Sequence, residues 1–191
     1  MFISSTTFIL GIFTNNTVVG YFAAADKIIQ AFKNLILPIL QSIYPYISKK
    51  IHQSKENALR FIRKIAFYVM IFTSFISLFI FVFAEFLVNL ILGVEYQNSI
   101  IIVQILAIMP LLIGLSNIFG IQTMLNFGRK KEFTKIIVAG SILNLDLSFI
   151  LVPIYQHIGS ALSVLIVECF ITTSLFVYIQ MSDLKLIKRK V

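Results

Sequence analysis

The 191-residue sequence has one cysteine, two histidines and no tryptophan. With Cys169 alone, no internal disulfide can form and no cysteine-based metal site can be built. Charge is scarce as well, at 13% of positions. No phosphate-binding Gly-rich loop, dinucleotide fingerprint, metal-ligand cluster or nucleophile elbow occurs along the chain. The sequence therefore predicts neither an enzyme nor a bound cofactor.

What the chain has is apolar length. Hydrophobic residues make up 59% of it, and the mean hydropathy is +0.96. A soluble domain of this size has no core able to hide that much apolar surface, so the expected class is an all-α polytopic membrane helix bundle. The apolar runs give a partial span at 1–13 and full ones at about 17–47, 62–83, 100–125, 134–153 and 158–180. Together they form a single transmembrane domain over 1–191, about five full spans plus a partial one. The opening "MFISSTTFILGIF" stops at "TNNT", whereas a spanning helix needs roughly 20 apolar residues. It reads as the rear of a helix whose front is missing. No Lys or Arg precedes the run, and Ala23 and Ala25 lie in a continuing helical pattern, so no signal peptide is expected. The stretch "SKKIHQSKENALRFIRK" (48–64) is expected to be a connector, with an amphipathic surface helix from Glu56 onward.

Loop charge predicts the direction of the spans. Six basic residues lie in 48–64 (Lys49, Lys50, Lys55, Arg60, Arg63, Lys64) and four in 127–135 (Arg129, Lys130, Lys131, Lys135). Four more lie in the tail: Lys185, Lys188, Arg189 and Lys190. The loops at 14–17, 84–99 and 153–158 hold none, so fourteen of the sixteen basic residues fall on alternate connections. By the positive-inside rule those connections, and both termini, are cytoplasmic. His52 and His157 then lie on opposite sides, cannot share a metal, and read as solvated side chains. The net charge of +8 is a topology signal that meets anionic lipid heads. No nucleic-acid partner is expected, because the loops lack the aromatic–basic interleaving of a strand-binding surface.

The two remaining cations sit in "GYFAAADKIIQAFKNLILPIL" (20–40). At 100° per residue, Asp26, Lys27, Gln30, Lys33, Asn34 and Gln41 share an arc of about 120°, while Ile28, Ile29, Leu35 and Ile36 occupy the rest. A charged side chain near the bilayer centre costs roughly 2.5–3.5 kcal/mol. The stripe is tolerable where it lines a water-filled cavity that binds cargo. The plainer account is that Asp26 pairs with Gln30 while the lysines snorkel. Pro38 and Pro45 on the same helix can each kink it, as a moving part or as a static feature.

Other polar groups in the spans are fewer. On the fourth, Gln104 and Gln122 share a face with Asn126 nearby, and Asn117 points elsewhere. Asn144 and Asp146 lie in "LNLDLSF", with Asp146 expected deep, and Glu168 lies in "LIVECFI" near the centre of the sixth span. Glu168 and Asp146 are candidates for coupling a proton or sodium ion, against silent protonated carboxyls or helix–helix hydrogen bonds. Gly159, Ser160, Ala161 and Ser163 are expected to let helices approach closely.

Four stretches carry a family likeness: "VVGYFAAADKIIQ", "IYPYISK", "LILGVEYQNSIIIVQIL" and "NFGRKKEFTKIIVAGSILNLDLSFILVPIYQHIGSALSVLIVE". In order and spacing they resemble the C-terminal half of polysaccharide exporters of the multidrug/oligosaccharidyl-lipid/polysaccharide superfamily, in particular O-antigen and related repeat-unit flippases. Departures are "HIGSALS", where many relatives have a Gly-Ala-Ala run, and Asp146, at a site often neutral in relatives. The resemblance implies one lobe of a two-lobed exporter in the bacterial cytoplasmic membrane. It implies a polyprenyl-pyrophosphate-linked oligosaccharide as cargo, moved to the outer leaflet, and either a missing N-terminal lobe or a second copy as partner. In that setting Lys27 and Lys33 would attract the diphosphate. A lipid II-type flippase, a packing subunit and a non-transporting remnant remain open alternatives.

Overall fold

A computed structural model describes residues 2–186. Met1 and the tail residues 187–191, including three of the four tail cations, lie outside the described residues. All regular structure among the described residues is helical. The helices are α1 (Phe2–Phe13), α2 (Asn16–Gln53), α3 (Lys55–Val82), α4 (Ala84–Ile91), α5 (Asn98–Leu106), α6 (Met109–Asn117) and α7 (Lys130–Met181). A 3-10 turn at Val94–Tyr96 precedes α5, and a π-helical segment, Ile118–Leu125, continues α6. Three stretches, Lys55–Val82, Asn98–Leu125 and Lys130–Met181, are long and apolar enough to cross a membrane. The chain is an all-α bundle of the multi-pass membrane type.

Short polar signals set the helix boundaries. The Asn15 side chain accepts a 3.0 Å hydrogen bond from the Val18 amide and caps α2, which is why the apolar run breaks at "TNNT". Ser54 both ends α2, its amide bonding the Lys50 carbonyl, and caps α3 by accepting from the Asn57 amide. The expected 48–64 connector is thus corrected to a corner of one residue. The part from Glu56 is the start of α3 itself, because a serine that caps one helix while closing another needs no loop. After the π segment, Gly128 adopts φ 77° and the Arg129 amide reaches back 2.8 Å to the Met124 carbonyl, a helix-ending pattern that glycine favours.

The expected fourth span, about 100–125, lies within the membrane-length stretch Asn98–Leu125, but it is not one regular helix. It is three pieces, with α5 breaking ahead of Pro110 and the π segment beginning after Asn117. The fifth and sixth spans join without a loop, since α7 reverses at the single residue Gln156 (φ 49°, ψ −124°). The arms 130–155 and 157–181 pack antiparallel. A Cβ on Gly140 would lie 2.7 Å from Ile171, a residue nearly as far beyond the corner. The corner closes because Gly159 has no side chain: a Cβ there would stand 2.2 Å from the Leu151 carbonyl oxygen. Gly159, Ser160, Ala161 and Ser163 are all buried, as close packing requires.

The core runs through the middle of the bundle, with Leu10, Phe22, Ile29, Leu40, Ile62, Ile102, Met124 and Leu175 fully buried. Outward faces are apolar: Phe72 and Phe75 on α3, and Ile142 and Phe149 on α7, are more than half exposed. This inverts the surface of a soluble protein and matches contact with lipid.

The basic segments meet at one end. Asp183 forms ion pairs with Lys55 and Arg129, the latter at 3.0 Å, and Arg63 donates to the Lys185 carbonyl at 3.0 Å. At the opposite end the connections without basic residues gather, with the Tyr21 ring edge-on to Tyr96 (5.9 Å) and to His157 (6.2 Å). The alternation of loop charge is therefore a spatial separation of charge.

Candidate functional site

The polar stripe of α2 straddles the border between the packed and the open side of that helix. Asp26 is buried at 4% exposure, and its Oδ2 accepts a hydrogen bond from Gln30 Nε2 one turn on. Its Oδ1 is buried without a hydrogen-bond partner among the described residues. Gln30 and Lys33 are half-buried, and Lys27, Asn34 and Gln41 are exposed. Ile29, Ile36 and Leu40 point into the bundle. The 3.6-residue period explains this division: apolar positions take the buried side, and the polar positions are rotated about a quarter-turn from it.

Pro38 and Pro45 do not interrupt α2. Each lacks an amide proton, so the carbonyls of Asn34 and Gln41, four residues before them, lose their donors in the helical ladder. Both residues lie on the open edge, which therefore carries main-chain acceptors beside its side chains.

Glu168 belongs to a different helix but to the same region. It is 9% exposed, and its Oε1 accepts a 2.9 Å hydrogen bond from Ser116. It lines a cavity of about 250 Å³ with Leu37, Ser116, Asn117, Phe133 and Ile171. Lys33 lies within electrostatic reach of both Glu168 and Asp26. The charge of one lysine on α2 thus acts on acidic side chains of two helices.

The π segment supplies further polar groups. Gln122 Nε2 donates to the Leu40 carbonyl at 2.7 Å and to Asn117 Oδ1 at 3.3 Å. An α-helical wheel puts Asn117 off the Gln122 face, but in a π turn residues five apart stack, so the structure corrects that reading. Thr123 bonds the Ile118 carbonyl across the same five-residue spacing, at 2.8 Å. Gln122 Oε1 remains buried without a hydrogen-bond partner among the described residues.

Asp146, expected deep, is exposed on the outward face of the 130–155 arm, between the exposed Leu145 and Phe149. No hydrogen bond or ion pair joins it to Glu168 among the described residues. Its neighbour Asn144 turns inward instead and donates to Thr6 Oγ1 at 3.1 Å, with Ser148 beside them, tying α1 to α7. His52 lies exposed in the last turn of α2, and His157 follows the reversal in α7. Among the described residues no group of three His, Cys, Asp or Glu side chains could hold a metal ion. Ser116 escaped the sequence reading. A lone serine in an apolar run signals helix contact, yet nothing local says which carboxylate it meets.

Comparison with known proteins gives this geometry a setting. Residues 1–101 match the family model described as "Polysaccharide biosynthesis protein". The chain is 36% identical over 176 residues to a protein of Escherichia coli (strain K12) named "Putative O-antigen transporter", covering 92% of the chain and 42% of that protein. It is 30% identical over 165 residues to a Shigella dysenteriae protein of the same name, covering 85% of the chain and 40% of the relative. The chain thus spans about two-fifths of the length of these relatives. No solved structure matches it. With a family model covering more than half of it, and a relative at 36% identity along nearly its whole length, the chain belongs to the polysaccharide biosynthesis protein family.

Proposed function

We propose that the chain is a single transmembrane domain forming one lobe of a transporter. Its cargo is a polyprenyl-pyrophosphate-linked oligosaccharide, flipped from the cytoplasmic to the outer leaflet of the bacterial inner membrane. The observation that carries this reading is the open edge of α2, where Lys27, Asn34 and Gln41 are exposed and Lys33 is half-exposed. At bilayer depth such groups need water or a polar cargo. The lysines offer the positive charge that a diphosphate seeks, and the amides and freed carbonyls offer partners for sugar hydroxyls. Asp26, held by Gln30, tempers the cationic edge. Glu168, buried beside the cavity and within reach of Lys33, is the better placed of the two acids to couple an ion; Asp146 is the second candidate.

The names of the relatives and the description of the family support a role in polysaccharide export. Coverage of about two-fifths of those relatives supports a second lobe, or a second copy, facing the edge. The gathered basic end supports a cytoplasmic placing of both termini. Transport requires no bond-making, so the proposal has no catalytic residue.

The test is Lys33→Ala in the complete protein. Surface glycan is expected to fall several-fold with the amount of protein in the membrane unchanged, and full transport would remove Lys33 from the mechanism. Reconstituted vesicles loaded with either cargo separate an oligosaccharide flippase from one moving lipid II, whose diphosphate is the same chemistry. A packing subunit is favoured by the same open edge, which needs cover in either case. Crosslinking from Gln41→Cys to another polypeptide, without glycan movement, would select it.

A further inference from the structure

The corner between α2 and α3 holds a cavity of about 280 Å³ lined by Lys50, Gln53, Asn57, Arg60, Phe61 and Lys64. Three cations and two amides converge there, and no carboxylate lines it; Glu56, the nearest acid in sequence, is not among the lining residues. None of the three cations is in an ion pair among the described residues, whereas Lys55 and Arg129 at the same end are both bound to Asp183. Lys50 is held in place, its Nζ lying 5.0 Å from the Tyr46 ring centroid and 5.3 Å from that of Phe61. The cavity is therefore lined by positive charge and partly ordered.

What lies along α3 from the cavity identifies the ligand. Tyr68, Ile71 and Phe75 follow Lys64 at spacings of four, seven and eleven residues, one helical face, and each is more than half exposed. Phe72, beside them, is exposed as well. A basic pocket at the end of an apolar, aromatic-rich stripe matches an amphiphile with an anionic head and a hydrocarbon tail.

We infer that this corner is a binding site for the phosphate head of a membrane lipid, with Arg60 and Lys64 as its principal ligands, Lys50 behind them, and the tail lying along the Tyr68–Phe75 stripe. The site is separate from the open edge of α2 and does not depend on the transport reading. Both a bilayer phospholipid and a polyprenyl phosphate present this chemistry.

Native mass spectrometry of the detergent-purified chain, with phosphatidylglycerol or phosphatidylcholine added, tests the inference. The wild type is expected to retain phosphatidylglycerol preferentially. The Arg60→Gln/Lys64→Gln variant should lose at least about tenfold of that retention. Lys130→Gln/Lys131→Gln, removing equal charge elsewhere at the same end, should stay within about twofold of wild type. All four side chains are exposed, so neither variant disturbs the core. Competition by polyprenyl phosphate would assign the site to a prenyl carrier, and its absence would assign it to the bulk phospholipid. Equal losses in the two variants, or phosphatidylcholine held as well as phosphatidylglycerol, would overturn the inference.

Discussion

The Ser116 hydroxyl donates to a Glu168 carboxylate oxygen at 2.9 Å, joining helices 52 residues apart in sequence. A buried carboxylate stripped of its donor costs more than the bond contributes, because desolvation is no longer offset. Ser116→Ala should destabilise the detergent-solubilised protein by about 1–3 kcal/mol. In a Glu168→Leu background the same change should cost little, since no orphaned group remains. Thermal unfolding of the four proteins checks this, and an additive cycle would show the bond to be without effect.

The turn of α7 should be the least tolerant point in the fold. Gly159→Ala sets a methyl 2.2 Å from the Leu151 carbonyl oxygen, a backbone atom that cannot rotate away. The cost should exceed the usual range for overpacking, about 1–3 kcal/mol, and folded yield should collapse. Gly140→Ala meets the flexible Ile171 side chain and should stay within that range. Gly20→Ala meets nothing within 4 Å and should be neutral or stabilising, since alanine favours helix. Size-exclusion yield and melting temperature rank the three.

The Thr6–Asn144 contact should behave as a matched pair. Asn144→Leu orphans the fully buried Thr6 hydroxyl only in part, because Ser148 lies 3.4 Å away, so its loss should be near the lower end of about 1–3 kcal/mol. Adding Thr6→Val should recover part of that loss. A double variant worse than the sum of the singles would refute the pairing.

Acid should release the clasp at the basic end. Hydrogen bonds from Lys55 and then Arg129 hold the Asp183 carboxyl below its ordinary pKa. A lowered folded value means that the contribution is full above the unfolded pKa, about 3.9. It is lost as the pH falls below that point and through the folded value. Asp183→Asn should lower the melting temperature slightly at pH 7 and low salt, since the pairs are exposed. The difference from wild type should shrink as the pH falls below the unfolded value and through the folded one, and also in 1 M salt. A difference that persisted under both conditions would mean that Asp183 acts by other than charge.

The sequence showed the helical class, the sorting of cationic loops and the amphipathic stripe of α2, because apolar period and loop charge are local properties. The polar caps at Asn15 and Ser54 were legible in kind but not in consequence; Ser54 shortened an expected 17-residue connector to one residue. The π segment was not legible. Its five-residue stacking of Asn117 on Gln122 is held by Gln122 bonding the Leu40 carbonyl of another helix. Periodicity also placed Asn144 and Asp146 in the same apolar run, but could not tell that one meets Thr6 and the other the outside.

The amino-acid order by itself determined that this chain must be helical, membrane-embedded and cationic at one end, because main-chain polar groups in lipid have to be satisfied within each helix and charge is sorted between connections. Only the tertiary structure decided which polar side chains meet. It placed Ser116 on Glu168, and Lys50, Arg60 and Lys64 around one cavity. The physical reason is that helix–helix contacts depend on crossing and rotation, which are set by where glycine permits approach and where one residue reverses the chain.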